Sequence, residues 1–80
     1  MKRERGSTIH RVLDILGTVA AAQKPMSATE INDILDLPKA TVHRLCTELE
    51  DRGYLLKKIN GKSYLPGNKL HEMAVGVLYI

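Results

Sequence analysis

The 80 residues carry 12 Lys and Arg against 9 Asp and Glu, with three Tyr and neither Trp nor Phe. That is one small domain near the lower limit for an independent core, which aliphatic side chains must fill. The single cysteine excludes an internal disulfide and a multi-cysteine metal site. The net charge of +3 is modest, so its distribution matters more than its sum.

The chain opens with Lys2, Arg3 and Arg5 in a polar stretch, residues 1–6, that reads as a disordered basic arm. It has no apolar core of the kind a secretory signal needs, so a cytoplasmic location is expected. Ser7 then suits the N-cap of a first helix with Ile9, Val12, Leu13, Leu16 and Ala20 on one face. Gly17 within it weakens the helix and suggests close packing. Gln23-Lys24-Pro25 ends the helix. Ser27-Ala-Thr-Glu30 has the capping-box spacing and predicts a short second helix through Leu35 that buries Ala28, Ile31, Ile34 and Leu35. Asp36-Leu37-Pro38 is a turn, with Leu37 anchoring it in the core.

The third helix is the most informative element. Val42, Leu45, Cys46 and Leu49 recur at i, i+3, i+4 and i+7, a buried stripe that makes Cys46 a small core residue, with a redox switch as the other reading. Gly53 supplies a left-handed cap. The opposite side of the early turns carries Lys39, Ala40, Thr41, His43, Arg44 and Thr47, which are small, hydroxylic or cationic. A helix that buries one side and offers such groups on the other fits the major groove of DNA. A short turn between two short amphipathic helices is the helix-turn-helix arrangement.

After Gly53 the period changes. Residues 54–59 and 62–65 flank Asn60-Gly61, a dipeptide suited to a tight type I′ hairpin, and Pro66-Gly67 stops it. Asn68 can cap a last helix with Leu70, Met73, Ala74, Val77 and Leu78 on a stripe that Val75, Tyr79 and Ile80 widen. Its apolar end is far too short to cross a bilayer. The expected fold is therefore mainly α with a small β-hairpin: a winged helix-turn-helix with a three-helix core, a two-stranded wing and a C-terminal linker helix. The expected divisions are 1–6 (basic arm), 7–67 (DNA-binding domain) and 68–80 (linker and dimerisation helix).

Each residue of the polar face has a competing role. Arg44 can bridge O6 and N7 of a guanine, meet a phosphate, or form a surface ion pair. Thr41 can meet a thymine methyl, touch a phosphate, or cap its own helix. His43 can donate to a base or phosphate or stand by. Thr47 can reach a base edge or only backbone. Lys39 lies at the first turn, where helix amides also favour an anion, so a phosphate is its expected partner. In the wing, Lys57, Lys58, Asn60 and Lys62 suit a neighbouring groove or the phosphate backbone, although edge lysines also deter aggregation. Ser27 and Thr29 at the start of the second helix can touch phosphate, and capping alone also explains Ser27. Arg3 and Arg5, with Lys2, can track the minor groove.

Leu37-Pro-Lys-Ala-Thr-Val-His-Arg-Leu45 followed by Leu49-Glu-Asp-Arg-Gly-Tyr-Leu55 resembles the IclR family of bacterial transcriptional regulators. Ile9-His-Arg-Val-Leu-Asp-Ile-Leu16 and Ser63-Tyr-Leu-Pro-Gly67 add to the resemblance, which covers about residues 7–80. It implies the DNA-binding domain of a dimeric regulator that recognises palindromic operators. It also implies a larger C-terminal domain that binds a small-molecule effector, so these residues are expected to be a DNA-binding part that lacks that domain. Two positions depart from the family pattern. Ala40 stands where the family often has Ser, which removes a hydroxyl from a phosphate-contact position. Leu65-Pro66 replaces the commoner Arg-Leu, which removes a cation from the wing.

Catalysis is not expected. There is no paired-carboxylate, metal-ligand or phosphate-loop pattern, and His10, His43 and His71 are scattered. No cofactor and no metal are expected. The expected partners are double-stranded DNA and a second copy of the chain, with no membrane. A winged-helix module that binds protein instead of DNA is the alternative, since fold does not settle function.

Overall fold

A computed structural model describes residues 7–78 as α1 (Thr8–Ala22), β1 (Met26–Ser27), α2 (Ala28–Leu35), α3 (Lys39–Asp51), β2 (Leu55–Lys57), β3 (Ser63–Pro66) and α4 (Asn68–Leu78). The expected basic arm, with Lys2, Arg3 and Arg5, and the terminal Tyr79 and Ile80 lie outside the described residues.

The local signals behave as expected except at Asn68, which is the first residue of α4 and not its cap, because the Leu70 and His71 amides donate to the Gly67 carbonyl. Ser7 Oγ accepts from the His10 amide at 3.1 Å, and α1 ends on Gln23 in the left-handed conformation, φ 56°. Both arms of the capping box form: the Glu30 amide donates to Ser27 Oγ at 3.0 Å, and the Ser27 amide donates to Glu30 Oε1 at 2.9 Å. That second bond, helped by the Lys24 charge, holds the Glu30 carboxyl below its ordinary pKa. At the end of α3 the Gly53 amide donates to the Glu50 carbonyl and the Tyr54 amide to the Leu49 carbonyl. Gly53 sits at φ 87°, so the pair is a Schellman motif that redirects the chain into the wing.

The core comprises Ile15, Val19, Met26, Ile31, Val42, Leu45, Cys46, Leu49, Leu55 and Tyr64, with Leu37 packed against it from the turn as expected. All four stripe residues of α3 are buried. The stripe expected in α1 is corrected. Ile15 and Val19 are fully buried with Val12 and Leu16 beside them, whereas Ile9, Leu13 and Ala20 face solvent. Apolar residues occur on two adjoining sides of α1, and a helical period does not say which side meets α2 and α3. Gly17 is exposed, and a methyl there would meet nothing within 4 Å, so the expected close packing is absent. Ile34 is 61% exposed, because the small side chains Thr18, Ala21 and Ala22 opposite it on α1 leave a groove.

The wing is larger than the expected hairpin. β3 is the centre of a three-stranded antiparallel sheet ordered β1-β3-β2. Met26 pairs with Tyr64 and Ser27 with Ser63, while Leu55, Leu56 and Lys57 pair with Pro66, Leu65 and Tyr64. Two residues are too few to show an alternating period, which is why β1 carried no strand signal. The hairpin register is the one a two-residue Asn60-Gly61 loop demands, but the type I′ turn does not form. That turn needs positive φ at both residues, and only Gly61 has it, at 84°. Instead the Gly61 amide donates to the Lys58 carbonyl at 2.7 Å and the Lys58 amide to the Ser63 carbonyl at 2.8 Å, closing a wider loop.

Gly67 is buried where a Cβ would run into the Gly53 carbonyl and lie 2.9 Å from the Leu55 nitrogen, so only glycine fits. Its amide donates to the Tyr54 carbonyl and the Lys69 amide to the Gly53 carbonyl, which ties the root of α4 to the α3–β2 connection. Beyond that root α4 buries nothing. Leu70 is half-buried, and Met73, Ala74, Val77 and Leu78 are exposed. The expected stripe therefore does not complete the domain's own core.

Burial has a consequence at alkaline pH. Inaccessibility of Cys46 pushes its thiol pKa from 9.0 up to about 11, against a smaller opposing effect of the Lys57 charge. An acid whose pKa is raised by folding stabilises the fold below its unfolded value and loses that contribution as pH rises through the folded one. The thiol's contribution to urea unfolding is therefore expected to be constant up to about pH 9 and to weaken by at most about 2–3 kcal/mol by pH 11. Cys46→Ala should remove most of that fall. A wild-type profile that stays flat to pH 11 would contradict the burial of the thiol. The Tyr64 phenol, also pushed up by burial, acts in the same direction.

Candidate nucleic-acid interface

With Val42, Leu45, Cys46 and Leu49 turned into the core, the opposite side of α3 is committed to solvent. Lys39, Ala40, His43 and Arg44 are exposed, and Thr41 and Thr47 are half-buried. Pro38 occupies the N-cap position and gives no side-chain cap, so the amides of the first turn keep their capacity for an acceptor. Thr41 makes no side-chain hydrogen bond among the described residues, which leaves the local-cap alternative without a bond behind it. Thr47 is different: its hydroxyl donates to the His43 carbonyl at 2.9 Å, which leaves its methyl and oxygen lone pairs for other partners. Ala40 offers only a methyl at the helix start.

Three elements converge beside this face. A cleft of about 320 Å³ is lined by Ser27 at the end of β1, Thr29 from α2, His43 from α3, and Lys57, Lys62 and Tyr64 from the wing. No carboxylate lines it. β1 makes this possible, because its pairing with β3 brings the capped start of α2 against the hairpin. The Ser27 hydroxyl accepts its capping bond and keeps its own proton for donation. Thr29 is exposed, one residue inside the helix. Lys57 is half-buried with its ammonium 5.7 Å from the centre of the Tyr64 ring, an arrangement that steadies the cation. Tyr64 itself is a member of the site that sequence reasoning missed. Its alternation in β3 signals burial but not the lysine above it.

Lys39, Thr41, Arg44 and Thr47 do not line the cleft but continue from it along α3, and Lys58 and Asn60 stand exposed on the wing loop. Among the described residues the ion pairs are Lys24–Glu30 at 3.5 Å and Lys69–Glu72 at 3.9 Å. Neither involves α3 or the wing, so the surface ion pair considered for Arg44 does not form there. Arg3 and Arg5 lie outside the described residues. Among the described residues no cluster of three His, Cys, Asp or Glu side chains is placed to hold a metal, and no helix is long and apolar enough to cross a membrane.

The sequence pattern of the IclR helix-turn-helix domain matches residues 8–58. The probable transcriptional regulator SauR of Cupriavidus necator is 30% identical over 78 residues, covering 98% of this chain and 31% of that protein. Among solved structures, Thermotoga maritima IclR is similar with a TM-score of 0.77 and 28% identity over 90% of this chain and 29% of that one. The Agobacterium tumefaciens repressor BlcR is similar with a TM-score of 0.75 and 25% identity over 91% of this chain and 29% of that one. The chain thus spans about a third of the length of the relatives it matches.

Proposed function

The chain belongs to the IclR family of helix-turn-helix transcriptional regulators, and on that premise we propose that residues 7–67 bind double-stranded DNA sequence-specifically with α3 in the major groove. The named relatives are transcriptional regulators, not enzymes. The observation that carries the proposal is the division of α3: its whole apolar stripe is buried while Lys39, His43 and Arg44 stand in solvent beside a cleft edged by Lys57 and Lys62. No carboxylate lines that cleft, and the side chains beside it on α3 are cationic or polar, not the large apolar groups that anchor most protein interfaces.

In this reading Arg44, His43, Thr41 and Thr47 meet base edges. Lys39 with the first-turn amides near Ala40, Ser27 and Thr29 at the start of α2, and Lys57, Lys58, Asn60 and Lys62 of the wing hold phosphates. Arg3 and Arg5 follow the backbone as a basic arm. The domain acts as a homodimer on a palindromic operator, because one small module covers too little DNA for useful affinity. The exposed apolar residues of α1 (Ile9, Leu13) and α4 (Met73, Val77, Leu78) support that reading. They make α4 a linker and dimerisation helix. Any small-molecule effector acts through a separate C-terminal domain, and the whole works in the cytoplasm.

The test is titration of a duplex selected from a random pool against an unselected one. Arg44→Ala is expected to cost about 1–3 kcal/mol on the selected duplex and much less on the random one. Equal losses on both would demote Arg44 to a phosphate contact. No binding to either in dilute buffer would end the DNA reading.

A further inference from the structure

One apolar side chain is displayed where turn chemistry gives no reason for it. Ile59 is 104% exposed at the apex of the wing, the first central residue of the turn closed by the Gly61–Lys58 hydrogen bond. Such positions favour Gly, Pro, Asn, Asp or Ser, and a β-branched residue there is both stiff and unsupported. No other side chain of the described residues covers it, and it contributes nothing to the core. Its neighbours define the company it would keep: Lys58, Asn60 and Lys62 are all exposed. Gly61 and Lys62 line the same cleft as His43 of α3, so the tip lies on the side of the molecule that carries the polar face of α3.

Resting on the DNA-binding reading, we propose that Ile59 is a wedge that the wing inserts into the minor groove next to the major-groove site of α3, parting a base step there. The lysines on either side supply the attraction to a polyanion, and the narrow minor groove has the strongest negative potential on the duplex. A branched aliphatic group can part a base step and bend the helix toward the major groove. Pyrimidine–purine steps yield most easily to such a wedge, so Ile59 would add sequence preference outside the bases that α3 reads.

The experiment selects duplexes from a random pool with the wild-type chain and with Ile59→Ala, then titrates the selected duplexes with both proteins. The wild type is expected to enrich a flexible step at a fixed distance from its core motif. Ile59→Ala should melt like the wild type, keep the core motif and lose the flanking preference. It should bind the wild-type selection on the order of tenfold more weakly, by the apolar contact removed. The salt slope should not change, because an aliphatic contact releases no counter-ions. Ile59→Met, another apolar wedge, should restore both flank and affinity. Identical flanks and equal affinities for Ile59→Ala would overturn the wedge while DNA binding stands. An effect of Ile59→Ala confined to self-association in sedimentation would overturn it too, making the tip a protein contact. If neither protein enriches a core motif, sequence-specific binding itself fails and the wedge fails with it.

Discussion

Tyr64→Ala is expected to lower the unfolding free energy by about 3–5 kcal/mol, measured by urea denaturation at neutral pH. Tyr64 is the largest of the fully buried side chains. It lies on the central strand, opposite Met26 on one side and Lys57 on the other, so its ring joins the sheet to the helical layer. A domain of this size has roughly 4–12 kcal/mol in all, so the loss removes a quarter or more of it. Two comparisons isolate the cause. Tyr64→Phe keeps the ring and should cost far less than Tyr64→Ala. Leu13→Ala removes an aliphatic group that is 62% exposed and should stay within about 0.5 kcal/mol of the wild type. A larger cost for Leu13→Ala than for Tyr64→Ala would mean that the core lies elsewhere. Because Tyr64 also forms the floor under the Lys57 ammonium, a partly folded variant should lose DNA affinity before it loses its helices.

Affinity for a random duplex should fall on the order of a hundredfold per protomer between about 50 and 200 mM salt. Lys39, Lys57, Lys58 and Lys62 are the cations assigned to phosphate among the described residues, and none is held in an ion pair there. If each displaces one condensed counter-ion, the slope of log affinity against log salt is about −3 to −4 per bound copy. Two copies on one duplex double it, and Arg3 and Arg5 would steepen it further. Fluorescence anisotropy at three salt concentrations gives the slope directly. A value shallower than about −2 would mean that α3 and the wing do not touch the duplex together. Substituting Lys58 and Lys62 together should then subtract about 2 from the slope with little change in which sequence is preferred.

The features legible in the sequence are those whose cause is local. Ser7, the Ser27–Glu30 box and Gly53 each satisfy backbone groups of their own helix end, so neighbouring residues suffice to identify them. The stripe of α3 was equally plain, because its other side carries no large apolar side chain that competes for burial. The polar face of α3 followed by exclusion, and with it most of the proposed interface.

Tertiary structure decided what a period alone leaves open. α1 has two apolar sides, and only its neighbours select Ile15 and Val19 over Ile9 and Leu13. Ile34 stays wet because the residues facing it are small. β1 exists only because β3 offers it a partner, and that pairing brings Ser27 and Thr29 to His43 and Lys57. Loop closure likewise overrode the dipeptide Asn60-Gly61 and left Ile59 at the apex. By itself the sequence determined most of the caps, the polar face of α3 and the order of the helices and hairpin, since each of these is satisfied within a turn or two of chain. Which apolar surfaces meet, and which remain bare, depends on residues distant in sequence, and only packing could choose among them.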